Sequence, residues 1–308
     1  MKKLLIPFTL LLLLMLSACG SSDSAEKEDT ATKDENKSET VTYESETGPV
    51  EVPADPQRVI LLSGFTGNVL DLGVNIVGVD KWSKMNPRFE EELKDVEEVS
   101  DESLEKIIEL EPDLIIGLSN IKNIDKLSEI APTVTYTWGK LDYLTQHIEI
   151  GKLLNKEKEA KTWVDDFKKR AQAAGEEIKA KIGEDATVSV IEGSTKELYV
   201  FGDNWARGTE ILYQAMNLKM PEKVKESAVE PGYYAISAEV LPEYAGDYII
   251  FSKNPDADNS FQETETYKNI PAVKNNHVFE LNAKQASFSD PLTLDAQLKF
   301  FKESFLGN

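Results

Sequence analysis

The sequence predicts an α/β fold of two lobes joined by one long rigid helix, and three observations carry that expectation. Short apolar strands alternate with helical segments in both halves of the chain. A single amphipathic stretch of helical period separates the halves. The residues ahead of the first half, 19–42, are too polar to join either lobe. Alternating β and α segments with continuous apolar strands are the pattern of parallel sheets covered by helices.

In the first half, 43–155, Arg58-Val59-Ile60-Leu61-Leu62 is an apolar strand, Gly67 to Leu72 a short helix and Ile76-Val77-Gly78-Val79 a second strand. Ser103 to Leu110 places Leu104, Ile107 and Ile108 at helical spacing, and Pro112 ends that helix before the strand Asp113-Leu114-Ile115-Ile116. Lys122 to Ile130 is a further helix and Thr133 to Thr137 a further strand. The segment 156–183 follows, with Trp163, Phe167, Ala171, Ala174, Ile178 and Ile182 recurring at helical spacing. This spacing predicts one helix of about 40 Å at about 1.5 Å per residue. In the second half, 184–308, strands are expected at Thr187 to Ile191, Leu198 to Phe201, Tyr248 to Phe251 and Val278 to Leu281, with a helix from Gly208 to Met216.

The chain opens on Met1-Lys2-Lys3, an apolar run from Leu4 to Leu16, and Leu16-Ser17-Ala18-Cys19. A transmembrane helix needs about 20 apolar residues, so the run reads as a secretory signal, residues 1–18. Small Ser17 and Ala18 before Cys19 form a lipobox, in which the thiol takes a diacylglyceryl group and becomes the new N-terminus. Cys19 is the one cysteine of the chain, so no intramolecular disulfide is available. Residues 19–42 are then a polar tether, able to reach about 25 Å as a flexible coil. The expected location is the extracytoplasmic face of a cell membrane, held there by lipid.

A formal net charge of −21, from 55 acidic and 34 basic residues, argues against nucleic acid and anionic lipid as partners. The sequence has no G-x-S-x-G elbow, no P-loop and no H-E-x-x-H, so an enzyme is not expected. The two histidines are His147, in a helical stretch, and His277, in the polar turn Lys274-Asn275-Asn276-His277, where surface or half-buried placement is expected. So few soft ligands make a direct transition-metal site poor, and any metal should arrive within a chelate.

The most unusual local sequence is Tyr199-Val200-Phe201-Gly202-Asp203-Asn204-Trp205-Ala206-Arg207-Gly208, a strand that ends in a polar turn before a helix. Carboxyl ends of strands are where open α/β sheets hold ligands. Arg207 offers a planar fork of donors and Trp205 a large rigid wall. The residues alone equally allow a Trp buried in the core and an Arg capping the carbonyls of its turn.

Several stretches resemble the iron-hydroxamate siderophore receptors of Gram-positive ABC importers, the ferrichrome-binding lipoprotein group. They are Pro53-x-x-Pro56-x-Arg58-Val59, Asp101 to Ile116, Lys126 to Val134, the Gly202 to Gly208 turn with Glu210 to Gln214, Tyr244 to Tyr248, Asn269 to Val278 and Ser289-Asp290-Pro291. The resemblance spans nearly the whole chain and implies a helical-backbone, periplasmic-binding-protein-like clamshell that binds in the cleft between its lobes with slight closure. It implies that Arg207 donates to hydroxamate oxygens around Fe(III), that Trp205 packs on the chelate, and that Tyr199 and Trp138 complete the wall. The iron stays coordinated by the siderophore, so no cofactor or protein metal ligand is needed. Glu105 and Glu239, at like places in the two lobes, are expected to meet arginines on the permease subunits of an ABC importer served by a cytoplasmic ATPase. A glutamate near a helix N-terminus is also favourable by the helix dipole alone.

Two positions depart from the pattern. Phe288 stands near where relatives carry a pocket aromatic before Asp290-Pro291, but lacks a polar tip, and Leu118 stands where some place Tyr. Both make the rim less polar, which leaves a ferric citrate or mixed citrate-hydroxamate chelate as a neighbouring expectation. A receptor of the same fold for cobalamin or haem, or a surface lipoprotein with an enzymatic or scaffolding role, are the further alternatives. A monomer is expected.

Overall fold

The structure is a computed structural model and describes residues 39–307. Residues 1–38, with the signal segment, Cys19 and most of the tether, lie outside the described residues. Strand β1 (Thr40–Ser45) begins inside the stretch read as tether. It pairs antiparallel with β2 (Gly48–Pro53), Thr40 opposite Pro53 and Ser45 opposite Gly48. The folded part starts earlier than expected because apolar Val41 and Tyr43 alternate with polar residues, and Tyr43 and Val52 are buried.

The first lobe is built on a five-stranded, all-parallel sheet. Its strands β3 (Val59–Leu61), β4 (Ile76–Val79), β5 (Glu97–Glu98), β6 (Leu114–Leu118) and β7 (Thr133–Tyr136) lie in the order β5-β4-β3-β6-β7. Val59, Ile60 and Leu61 are all fully buried, as the continuous apolar run requires. The second sheet, β8 (Val188–Ser194), β9 (Glu197–Phe201), β10 (Tyr233–Ile236), β11 (Tyr248–Lys253) and β12 (Val278–Asn282), runs β10-β9-β8-β11-β12. Here β9 is antiparallel to both β8 and β10. Gly193, at φ +141°, permits the tight β8–β9 hairpin, where a Cβ would meet the Glu197 carbonyl oxygen at 2.3 Å.

An aspartate clips the start of one strand in each lobe. Asp113 accepts from the backbone N–H groups of Gln57 (2.6 Å) and Arg58 (2.9 Å), while Arg58 Nε donates to the Glu111 carbonyl at 2.9 Å. Asp247 accepts from Thr187 N at 2.8 Å and Thr187 Oγ1 at 2.9 Å. The stretch Glu111-Pro112-Asp113-Leu114 therefore acts as a structural clip between the neighbouring strands β3 and β6.

The linking helix spans Glu157–Ile182 and buries Ala160, Val164, Phe167, Ala171, Ala174 and Ile178 along one stripe. Trp163 Nε1 donates to Asp295 of the C-terminal helix Pro291–Leu306 at 3.1 Å, and Arg170 pairs with the same carboxylate at 2.8 Å. A second tie accompanies this helix. Phe288 lies in the first lobe's core, 5.7 Å from the rings of both Trp82 and Phe89, so the chain crosses back before the C-terminal helix begins. Asp290 caps that helix by accepting from Thr293 N (3.0 Å), and it lies so close to Gly67 that a Cβ there would sit 2.0 Å from its Oδ1.

His147 corrects the expectation of a surface or half-buried place, because it is fully buried. Helix Tyr143–Leu153 packs against both helix Thr66–Asp71 and the linking helix, and its buried positions include Leu144, His147, Ile150 and Gly151. His147 Nδ1 is 3.3 Å from Asn68 Nδ2, and its ring meets Trp163 edge-on at 5.3 Å. His277 is half-buried and stacks on Tyr248 at 4.2 Å.

Candidate functional site

A cavity of about 870 Å³ lies between the lobes. The first lobe lines it with residues just past its strands: Ser63 to Phe65 after β3, Asp80 to Trp82 after β4, Val99 to Asp101 after β5 and Thr137 to Gly139 after β7. The second lobe contributes Asn204 to Ala206 and Glu210, and the crossing segment contributes Ser287 to Ser289. The parallel sheet thus presents its carboxyl edge to the cavity, the edge at which open α/β folds hold ligands.

Two tryptophans face each other from opposite lobes. Trp138, 66% exposed, meets Trp205 at 6.4 Å between ring centroids and nearly perpendicular. Behind Trp205 stands Tyr233, 5.3 Å away, and beside it Gly232. Gly232 has φ +87°, and a Cβ there would lie 2.4 Å from Trp205 Cε3, so the absence of a side chain makes room for the indole. Phe288 also lines the cavity, although most of its ring is buried in the first lobe's core.

The turn that carries Trp205 is left-handed at three successive residues, Ala206 and Arg207 at φ 57° and Gly208 at φ 83°. For a non-glycine residue this costs about 1–2 kcal/mol, so the surroundings must hold it. They do so through backbone donors: Trp205 N to Thr209 Oγ1 (3.0 Å), Ala206 N to Glu210 Oε1 (2.8 Å) and Arg207 N to the Ala286 carbonyl (2.7 Å). Glu210 opens a π-helix, Glu210–Ala215, where the sequence predicts an ordinary helix. Burial pushes the Glu210 carboxyl above its ordinary value, opposed by the bonds from Ala206 and Ser289. Burial likewise raises Asp80 against the opposing bonds from Ser83, and raises the Tyr143 phenol.

Arg207 and Tyr199 stand outside the cavity lining. Arg207 is bound by both oxygens of Glu192, Nε at 3.1 Å and Nη2 at 2.8 Å, and its Nη1 donates to the Trp205 carbonyl at 3.1 Å. The guanidinium also lies over the Phe201 ring at 4.7 Å. It therefore caps its own turn, and braces the backbone beneath Trp205. The Tyr199 hydroxyl donates to Glu197, and its ring meets Tyr233 at 5.7 Å. Leu118 lines the cavity. Glu105 is exposed in the first turn of helix Leu104–Glu109, and Glu239 is exposed just before the short helix Leu241–Glu243. A bond from the Ser237 side chain holds Glu239 below the usual carboxylate range.

Sequence reasoning missed three lining aromatics, Phe65, Tyr143 and Trp82, of which Trp82 is the most telling. It is half exposed and follows β4 by three residues, so the strand-end rule that singled out Trp205 applies to it as well. Asn68 and Gln146 carried no such signal, since both sit within helices, Thr66–Asp71 and Tyr143–Leu153, and not at strand ends. Among the described residues no group of three or more His, Cys, Asp and Glu is placed to hold a metal ion.

Two α/β lobes, a connecting helix and an aromatic cleft between them define a solute receptor. The chain belongs to the periplasmic binding protein family, whose model matches residues 63–285. It is 38% identical over 304 residues to the iron(3+)-hydroxamate-binding protein FhuD of Bacillus subtilis, covering 96% of this chain and 95% of that one. The iron(3+)-hydroxamate-binding protein YxeB of the same organism is 35% identical, with 99% of this chain and 98% of that one covered. Among solved structures, FhuD2 of Staphylococcus aureus with bound ferrioxamine B superposes with a TM-score of 0.77 at 35% identity, covering 82% of this chain and 99% of that one.

Proposed function

We propose that this chain is the substrate-binding component of an ABC importer that captures Fe(III)-hydroxamate siderophores and delivers them to a membrane permease. The observation that carries this is the cleft itself, large enough for a siderophore-sized chelate and walled by Trp138 and Trp205 from opposite lobes. The sequence likeness to hydroxamate-binding proteins over nearly the full chain supports the choice of ligand. The indoles and Phe288 pack on the chelate, while Arg207 and Tyr199 act from behind Trp205. Arg207 has two N–H groups left over from the bonds described above, which can turn to ligand oxygens if the turn shifts on binding. The iron keeps its full set of siderophore oxygens, and the protein performs no reaction on it.

In the same reading, Cys19 carries a diacylglyceryl anchor and the following residues tether a monomeric receptor outside the membrane. Two acyl chains give stable anchoring and keep the receptor concentrated beside its permease. Glu105 and Glu239 dock one lobe each on the permease. Gel filtration of the protein mixed with a coloured ferric trihydroxamate tests the ligand. Co-elution of the visible absorbance with the protein at one chelate per chain is expected, and elution of all colour at the small-molecule position overturns the reading.

A further inference from the structure

Four carboxyl groups and one ammonium line the cleft: Asp80, Glu98, Asp101 and Glu210 against Lys81. Arg207, next in sequence to the lining residue Ala206, is already paired with Glu192 at 2.8 Å. The carboxyls also differ in what they can offer. Both Asp80 oxygens accept from Ser83, at 2.8 and 3.1 Å, and Glu210 is fully buried among its own donors. Glu98 is exposed and its carboxylate has no hydrogen-bond or ion-pair partner among the described residues, and Asp101 uses one oxygen, accepting from Lys122 N at 2.6 Å. Both lie at the carboxyl end of β5, so free carboxylate oxygens are gathered at one end of the cleft wall, away from Trp205 on the other lobe.

We infer that the cleft discriminates among ferric chelates by charge, favouring a hydroxamate chelate that carries a free ammonium arm, which Glu98 and Asp101 receive, over the same chelate without the charge and over carboxylate-bearing chelates. This rests on the reading of the cleft as a hydroxamate site and adds to it which members of that class are held best. An ammonium group at the β5 end gains from two carboxylates and meets the opposing charge of Lys81, while the neighbouring Lys122 ammonium is paired with Glu102 at 2.6 Å. A citrate-type chelate places its own carboxylates against the same wall, with no arginine among the lining residues to receive them. The wholly apolar side chains of Leu118 and Phe288 do not offset that repulsion, so the citrate-containing alternative loses ground on this charge distribution. Near a protein surface two such carboxylates favour a nearby cation by about five- to tenfold in affinity.

The test uses ferrioxamine B, which ends in a primary amine, and its N-acetylated derivative, which presents the same iron centre without the charge. Titrations of both at low ionic strength should show the amine form bound about five- to tenfold more tightly. In the Glu98→Gln/Asp101→Asn variant that ratio should fall to about one. In the wild-type protein the ratio should also shrink toward one in about 1 M salt, where charges are screened beyond about 3 Å, which reads the same interaction without a substitution. Equal wild-type affinities for the two forms, or a ratio unmoved by both the substitutions and salt, overturn the inference while leaving the hydroxamate reading intact. Failure of both forms to bind overturns the hydroxamate reading itself, and the inference with it.

Discussion

The guanidinium of Arg207 and the carboxylate of Glu192 form a two-point pair, with Nε on Oε2 at 3.1 Å and Nη2 on Oε1 at 2.8 Å. Each side chain is mostly buried, 16% and 20% exposed, and Ser252 Oγ adds a third bond to Glu192 Oε2 at 2.6 Å. The left-handed turn beneath Trp205 therefore depends on a charge pair that the fold itself completes. Arg207→Ala should cost about 1–3 kcal/mol of stability, because Glu192 is left with Ser252 alone. Adding Glu192→Ala should restore part of that loss, and a double-mutant cycle by urea denaturation measures the coupling. Additive losses would place the two side chains in separate roles.

Gly232→Ala should disturb ligand binding through Trp205. The new methyl would overlap the indole, and φ +87° is costly for alanine. The expected result is a shifted Trp emission maximum in the free protein and weaker chelate binding, against a loss of fold stability of about 1–2 kcal/mol. Unchanged emission would mean that Trp205 does not rest on this glycine.

The cross-lobe contact at Gly67 should be sensitive to one carbon. Gly67→Ala places a methyl 2.0 Å from Asp290 Oδ1, between a first-lobe helix and the cap of the C-terminal helix. Overpacking of this kind costs about 1–3 kcal/mol, read as a lowered Tm. Asp290→Ala in the same background should not add its full separate cost, since the clash and the cap share one carboxylate.

Glu210 ties stability to pH with a definite sign. Its carboxyl is raised above the ordinary 4.5 by burial, so the folded state holds the proton over a window in which the unfolded chain has lost it. Stability from this group is present below that window and falls as pH rises through it. Glu210→Gln keeps an acceptor for Ala206 N and removes the ionisation. Its stability relative to wild type should therefore improve as pH is raised from about 4.5, as thermal unfolding across a pH series would record. A difference that is constant with pH would show that Glu210 is not titrating in the folded protein.

Much of the fold was legible because burial leaves a direct mark on sequence. Val59 to Leu61 and Leu114 to Ile116 read as parallel strands because both faces are covered, and the stripe from Phe167 to Ile178 read as a helix because one face is. Strand β10 was not legible: Tyr233, Tyr234 and Ala235 are exposed at a sheet edge, so they carry no core signature. The return of Phe288 to the first lobe was equally hidden, since nothing local distinguishes an aromatic bound for a distant core from one bound for its own. In the site, the order strand, turn, helix located Trp205 and Arg207. Which of them faces the cavity depends on Glu192, 15 residues upstream, whose demand on the guanidinium no local pattern reveals.

The most direct test of the hydroxamate cleft is a Trp fluorescence titration of the protein with a ferric trihydroxamate, run beside Trp138→Phe and Trp205→Phe. Saturable quenching at one chelate per chain is expected, with a smaller amplitude in each variant because both indoles face the cleft. An absence of quenching in the wild-type protein, or quenching of undiminished amplitude in both variants, would contradict the placement of the chelate between these two rings.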